Sequence, residues 1–212
     1  MPTLRHVSDL ADGFYFDLAS PLAYLAAERV LQVLPAPVEW QPVLARDLSG
    51  AESFDAARGS SEEEILREQI ERRARELGLQ PLRWPDPFPF DSSLAMRVAT
   101  YAKSIGRAVP FAQAAFRQAF AGGHSLEDPD VVLVAAAACE MHPAAVLRGA
   151  ELRSVRRQLA AATSIAATAQ IREIPALVLH GELFLGERAV ENAAELMRAV
   201  RRAAAPPGAP AR

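Results

Sequence analysis

The chain has 212 residues, 50% apolar and 23% charged, with a formal net charge of −3. That composition excludes a disordered chain, and its slight acidity excludes the basic stripe that nucleic acid or an anionic membrane surface requires. Its one cysteine, Cys139, admits neither an internal disulfide nor a C-x-x-C exchange pair, which fits a reducing, cytoplasmic setting.

Residues 1–12 are polar and irregular and are read as a loose arm without the apolar core of an export signal. Gly13-Phe14-Tyr15-Phe16-Asp17 has the composition of a short buried strand ending in a turn residue. Ser20-Pro21 opens a helix, since serine caps well and proline suits the first helical position. That helix runs to about Leu34, where Pro35-Ala36-Pro37 stops it. Residues 38–44 predict a second strand, with Pro42 marking an edge position.

More than 100 residues of helical pattern follow. Ser61-Glu62-Glu63-Glu64 has the form of a capping box, Gly78 a helix stop, and Asp91 or Ser92 caps a helix ending near Gly106. Further helices are expected at about 110–121, 130–141, 144–150 and 153–170. The longest apolar stretch here, Val131 to Cys139, is too short to span a bilayer. Strand signal returns at Ala176–His180 and Leu183–Leu185, with His180-Gly181-Glu182 as a hairpin connection. A last helix covers about 188–202, and the proline-rich end from 204 is read as a flexible tail.

Without the helical block, the order strand–helix–strand, helix, strand–strand–helix is that of a thioredoxin-like α/β fold. The expected organisation is a thioredoxin-like part from residues 13–44 and 165–203, a large all-helical insertion at 45–164, and flexible ends at 1–12 and 204–212.

Three places could carry chemistry. Ser20 would sit at a helix N-terminus beyond a buried strand, where free N–H groups and the helix dipole favour negative charge. A serine there cannot exchange disulfides, but its hydroxyl can donate to a thiolate brought by another molecule; its plain alternative is an N-cap. Pro175, before an apolar strand, would expose the backbone of Ile174 if the bond between them is cis; the alternative is a trans proline starting a strand. Gly186-Glu187-Arg188, between strand and helix, could hold a carboxylate through N–H groups and Arg188, or be a solvated turn. His6, His124, His142 and His180 share no metal-ligand spacing. Cys139 falls in an apolar helical run, as an inert core thiol does. The charges from Glu62 to Glu76 alternate in sign, as on a solvated helix face.

Several stretches together resemble one family. Phe14–Ala26, Val38–Leu44, Trp84–Asp91 with Ala95-Met96-Arg97, and Ile174–Val178 with Gly181–Gly186 are similar to the 2-hydroxychromene-2-carboxylate isomerases, relatives of kappa-class glutathione transferases in the wider DsbA-like group. The resemblance covers about residues 13–200. It implies glutathione, or another low-molecular-weight thiol, held near Ser20 and adding reversibly to an aromatic enone. It further implies thiol contacts from Ile174, Pro175, Glu187 and Arg188, substrate contacts from Leu22 and Asp91, and a homodimer. The chain departs from the family pattern in places. Leu22 stands where an aromatic is usual, Asp91 replaces asparagine, Glu173-Ile174 replaces Gly-Val, and Ala176 replaces threonine. Gly186-Glu187-Arg188 stands for a Gly-x-Asp-Arg. The competing functions are a kappa-like transferase, a non-catalytic binding module and, against the cysteine count, a disulfide oxidoreductase.

Overall fold

The computed structural model describes residues 5–6, 10–48, 60–186 and 188–204. Its elements are β1 (Arg5–His6), β2 (Gly13–Phe16), α1 (Pro21–Val33), β3 (Trp40–Pro42), a 3-10 turn (Ala45–Asp47), α2 (Ser60–Glu76), α3 (Ser93–Ser104), α4 (Ala108–Phe120), α5 (Pro129–Ala137), α6 (Pro143–Glu151), α7 (Arg153–Thr168), β4 (Ala176–Leu179), β5 (Glu182–Leu185) and α8 (Ala189–Ala204). They form the thioredoxin-like α/β arrangement with a large helical insertion between β3 and α7.

The sheet runs β1-β5-β4-β2-β3. β2 and β3 are parallel, with Phe16 opposite Pro42; β4 pairs antiparallel with both β2 and β5. Pro42, which has no N–H to donate, thus lies on an edge strand. The β4–β5 connection is the tight hairpin expected: His180 and Gly181 have φ of 53° and 75°, the twist a two-residue turn requires.

Three sequence readings need correction. The arm before residue 13 is not wholly loose, because Arg5–His6 pairs antiparallel with β5 and adds an edge strand. Helix α2 begins at Ser60, so Ser61 is already inside it and is not its cap. The division at 164/165 cuts through α7, whose Ala166 packs under the sheet with Ile171. Of the tail expected at 204–212, residues 205–212 lie outside the described residues.

Alternation along β2 assigns the two faces. Phe14 and Phe16 join Trp40, Leu177 and Leu179 in a core shared with α1, α8 and the insertion. Tyr15 joins Val43, Ala176, Val178 and Leu183 in a smaller core closed by the end of α7. The insertion shares the first core and is not a separate domain: the rings of Phe16 and Phe116 lie 5.9 Å apart, and those of Tyr24 and Phe120 5.6 Å. Such pairs contribute roughly 0.5–1.5 kcal/mol each beyond the area they bury.

Helix α2 is tied down near α1. Ile70 and Ala74 are buried, Trp84 donates its indole N–H to Glu71 at 2.8 Å, and the Arg67 guanidinium lies 4.5 Å from the Trp84 ring centroid. Gly78 ends the helix in the left-handed conformation, its N–H reaching Arg75 and that of Leu79 reaching Ala74. Among the described residues no helix is long and apolar enough to cross a membrane.

Candidate functional site

The loop after β2 is fixed before it reaches Ser20. Asp17 is 3% exposed and accepts hydrogen bonds from the N–H groups of Ala19 at 2.9 Å and Ala45 at 2.8 Å. The Ser92 hydroxyl is a further donor to it. Burial pushes the Asp17 carboxyl above its ordinary range, against the opposing pull of these donors and of Arg46. The Leu18 N–H meets the Met96 sulfur at 3.3 Å. One buried carboxylate therefore ties the loop to the 3-10 turn and to the start of α3.

Ser20 caps α1 with extended backbone, φ −91° and ψ 114°, and its Oγ accepts from the Ala23 N–H at 3.1 Å. The same oxygen donates its proton to the Ile174 carbonyl at 3.2 Å, across 154 residues of chain. The Ile174–Pro175 bond is cis, as are Asp86–Pro87 and Phe88–Pro89. Pro21 carries no N–H, and the N–H of Leu22 has no carbonyl to reach within its own helix. A hydroxyl and a first-turn amide thus stand together beside a proline loop.

A small groove lies on the other side of Pro175, between α1, the end of α2 and the start of α8. Leu22, Leu25, Ala26, Leu77, Pro175, Gly186 and Val190 line it, with Arg29 and Arg73. Ser20, Ile174 and Pro175 meet as the sequence reading has them, and Leu22 is at the groove beside Pro175.

Other candidates sit elsewhere. Asp91 does not line the groove. Its Oδ1 accepts from Arg46 at 2.7 Å and from the Ser93 N–H at 2.8 Å. Burial alone would raise its pKa, but Ser93 and Arg46 together hold it below the ordinary value. Arg188 is exposed at the start of α8, where its carbonyl accepts from the Asn192 N–H. Glu187 lies outside the described residues. Among the described residues no group of three or more metal-ligating side chains gathers. Cys139 is buried after α5, its thiol donating to the Ala135 carbonyl at 3.3 Å; burial pushes its pKa up.

Sequence reasoning missed Asp17, Arg29 and Arg73. Asp17 had a signal, an acid between a buried strand and a serine cap. Arg73 had none, because its segment carries the alternating charges of a solvated face.

Comparison with known proteins places this geometry. The sequence matches the DSBA-like thioredoxin domain family over residues 13–198. No curated protein matches it closely enough to be called a relative. Among solved structures, 2-hydroxychromene-2-carboxylate isomerase is similar with a TM-score of 0.76 at 17% identity, covering 91% of this chain and 97% of that one. A probable DsbA oxidoreductase from Streptomyces coelicolor gives 0.74 at 17% identity, covering 93% and 92%. The cytosolic disulfide reductase DsbM from Pseudomonas aeruginosa with GSH gives 0.61 at 13% identity, covering 92% and 98%. The match spans most of the chain and includes β2, α1 and the proline loop that build the site: this protein belongs to the DsbA-like thioredoxin family.

Proposed function

We propose that this chain is a glutathione-dependent isomerase resembling the 2-hydroxychromene-2-carboxylate isomerases, working as a cytoplasmic homodimer on an enone or hemiketal substrate of that aromatic series. The observation that carries the reading is the Ser20 hydroxyl at the start of α1, bonded to the carbonyl before cis Pro175 in a chain with no second cysteine.

The residues present fit a thiol at its sulfur end. A bound thiol would supply a nucleophile that adds to the enone, frees a bond for rotation and leaves again. The chain's own part is electrostatic. The Ser20 O–H, which now donates to Ile174, can turn to the sulfur and hold it as thiolate. The Leu22 N–H and the α1 dipole favour the same charge. A hydrogen bond to a charged group contributes about 1.5–3 kcal/mol, which lowers a thiol pKa by roughly one to two units. Ser20 itself is not read as the covalent nucleophile, since its proton goes to a backbone carbonyl and not to a base. The same site would serve a kappa-like transferase, with addition not reversed.

The names of two neighbours speak for disulfide chemistry. Against it stand a serine at the helix start and a sole cysteine that is buried with a raised pKa. A non-catalytic binding module is the second reading. Glu173 favours it, with a carboxylate oxygen 3.7 Å from where a Cβ on Gly186 would lie, so a negative charge stands beside the backbone that would hold the thiol.

Ultraviolet titration of bound glutathione tests the proposal. A thiolate with a depressed pKa in wild type, shifted up in Ser20→Ala, supports it; no binding at millimolar glutathione leaves the binding module. Insulin reduction should stay at background, and turnover that disappears in Cys139→Ser would restore the oxidoreductase reading.

A further inference from the structure

The chain between β2 and α1 reaches Ser20 with every N–H group already taken. The Leu18 N–H goes to the Met96 sulfur at 3.3 Å, the Ala19 N–H to Asp17 Oδ1 at 2.9 Å, and the Ser20 N–H to the Asp17 carbonyl at 3.1 Å. Asp17 thus accepts twice within its own turn, once through its side chain and once through its backbone. Both bonds fix the turn that ends at Ser20, whose hydroxyl then meets Ile174.

The outer half of this clamp comes from the insertion. Ser92 stands at the N-cap of α3, 6% exposed, yet its side chain makes no bond to its own helix. A serine at that position ordinarily caps. Here its hydroxyl goes to Asp17 instead. Asp91 supplies an acceptor for α3 in its place, taking the Ser93 N–H at 2.8 Å. The turn after β3 closes the ring. Its Ala45 N–H bonds Asp17 Oδ2 at 2.8 Å, while the adjoining Arg46 reaches Asp91 at 2.7 Å and the Ser93 hydroxyl at 2.6 Å. With Met96 against Leu18, the opening turn of α3 meets the Ser20 loop at two separate points.

As plain structure this arrangement is costly. A buried carboxylate loses its hydration, its donors only offset that loss, and apolar side chains of like volume often serve stability as well or better. What donors from three segments add is direction, since one geometry satisfies them all. We propose that Asp17 and Ser92 are positioning residues for the Ser20 hydroxyl, so that the start of α3, inside the insertion, belongs to the machinery of the site. This rests on Ser20 serving a bound thiol, as proposed above. Neither residue touches the thiol; both act through the turn that carries Ser20.

Ultraviolet titration of glutathione bound to the full chain tests this. The variants are Ser20→Ala, Ser92→Ala, Asp17→Asn, and the last two each combined with Ser20→Ala. Val132→Ala, at a buried position of α5, is the comparator that loses stability away from the site, and Tm is measured for all. The sign is informative. Removing the Asp17 charge alone would lower the pKa of the bound thiol, because a like charge disappears, whereas a hydroxyl that has lost its aim raises it. The expected rise is about one pH unit in Asp17→Asn and about half a unit in Ser92→Ala, with none in Val132→Ala. Both rises should vanish when Ser20 is already alanine, since the hydroxyl being aimed is gone. Absence of a rise in Ser92→Ala overturns the role of α3, and it does so even if Asp17→Asn fails to fold. A fall in Asp17→Asn, or rises that persist without the Ser20 hydroxyl or that Val132→Ala shares, overturns the positioning role. In each of these cases a rise in Ser20→Ala leaves the thiol site standing. No rise in Ser20→Ala, or no glutathione bound by wild type, overturns both.

Discussion

Two helices of this chain start in the same way and end up in different trades. Ser20-Pro21 opens α1 and Asp128-Pro129 opens α5; each cap is extended and accepts a first-turn N–H, at 3.1 Å from Ala23 and 2.8 Å from Asp130. As caps they are equivalent, each of a kind that contributes about 1 kcal/mol. Asp128 then faces solvent. Ser20 is half-buried, and its oxygen also reaches a carbonyl 154 residues away beside a cis proline. A helix start becomes a candidate site through what the tertiary structure brings to it, and through a hydroxyl that can donate as well as accept.

The largest effect should come from the residue that builds this difference. Asp17→Ala removes the acceptor for two partly buried N–H groups and the Ser92 hydroxyl, each costing about 1–3 kcal/mol when left unpaired. After some relaxation the loss should be about 3–5 kcal/mol, a fall in Tm of roughly 6–20 °C by thermal denaturation. The pH sign follows from burial, which raises the folded-state pKa above the unfolded one. The charged Asp17 is least favourable above its folded pKa, and stability from this group recovers as pH falls from there towards 3.8. A Tm drop no larger than that of an exposed cap mutant would show that the loop does not depend on this carboxylate.

Next in size is the functional contrast between the two caps. Ser20→Ala should slow glutathione-dependent turnover about tenfold to a hundredfold and raise the pKa of the bound thiol. Asp128→Ala should cost a similar ~1 kcal/mol of stability and leave both readings unchanged. Equal effects of the two on the thiolate titration would reduce Ser20 to a helix cap.

The legible half of this site is the half carried by neighbouring residues. A buried aromatic strand, Ser20-Pro21, and Ile174-Pro175 ahead of an apolar run are local signals, and the order of strands and helices around the block was readable from periodicity. What was not readable depends on docking. Arg73 belongs to a charged segment whose alternating signs say only that it is a wet helix, yet burial of Ile70 and Ala74 turns its neighbour toward the groove. Arg29 looks like an ordinary surface arginine until α8 places Glu191 against it. Asp91 carries a family position, but Arg46 and Ser93 engage it away from the groove. The two-residue strand Arg5–His6 is too short for any alternation to show.

The smallest expected effect concerns that same ion pair and sharpens the contrast from the other end of α1. Glu191 joins α8 to α1 through Arg29, with side chains 26% and 17% exposed. Burial alone would raise its pKa, but the bond from Arg29, with help from Arg73, brings it below 4.5. A depressed folded-state pKa means stability that is present above the unfolded value and lost as pH falls through the folded one. The pair is partly solvated, so its worth is about 0.5–1 kcal/mol. Glu191→Gln should therefore lower Tm by roughly 1–4 °C at neutral pH. The gap should narrow below about pH 4.5, where the wild-type carboxylate takes up its proton and the two proteins become electrostatically alike. High salt should narrow it too, because a partly exposed pair is screened. A gap that stays constant down to pH 3 would mean that Glu191 acts through packing alone and does not hold Arg29 by charge.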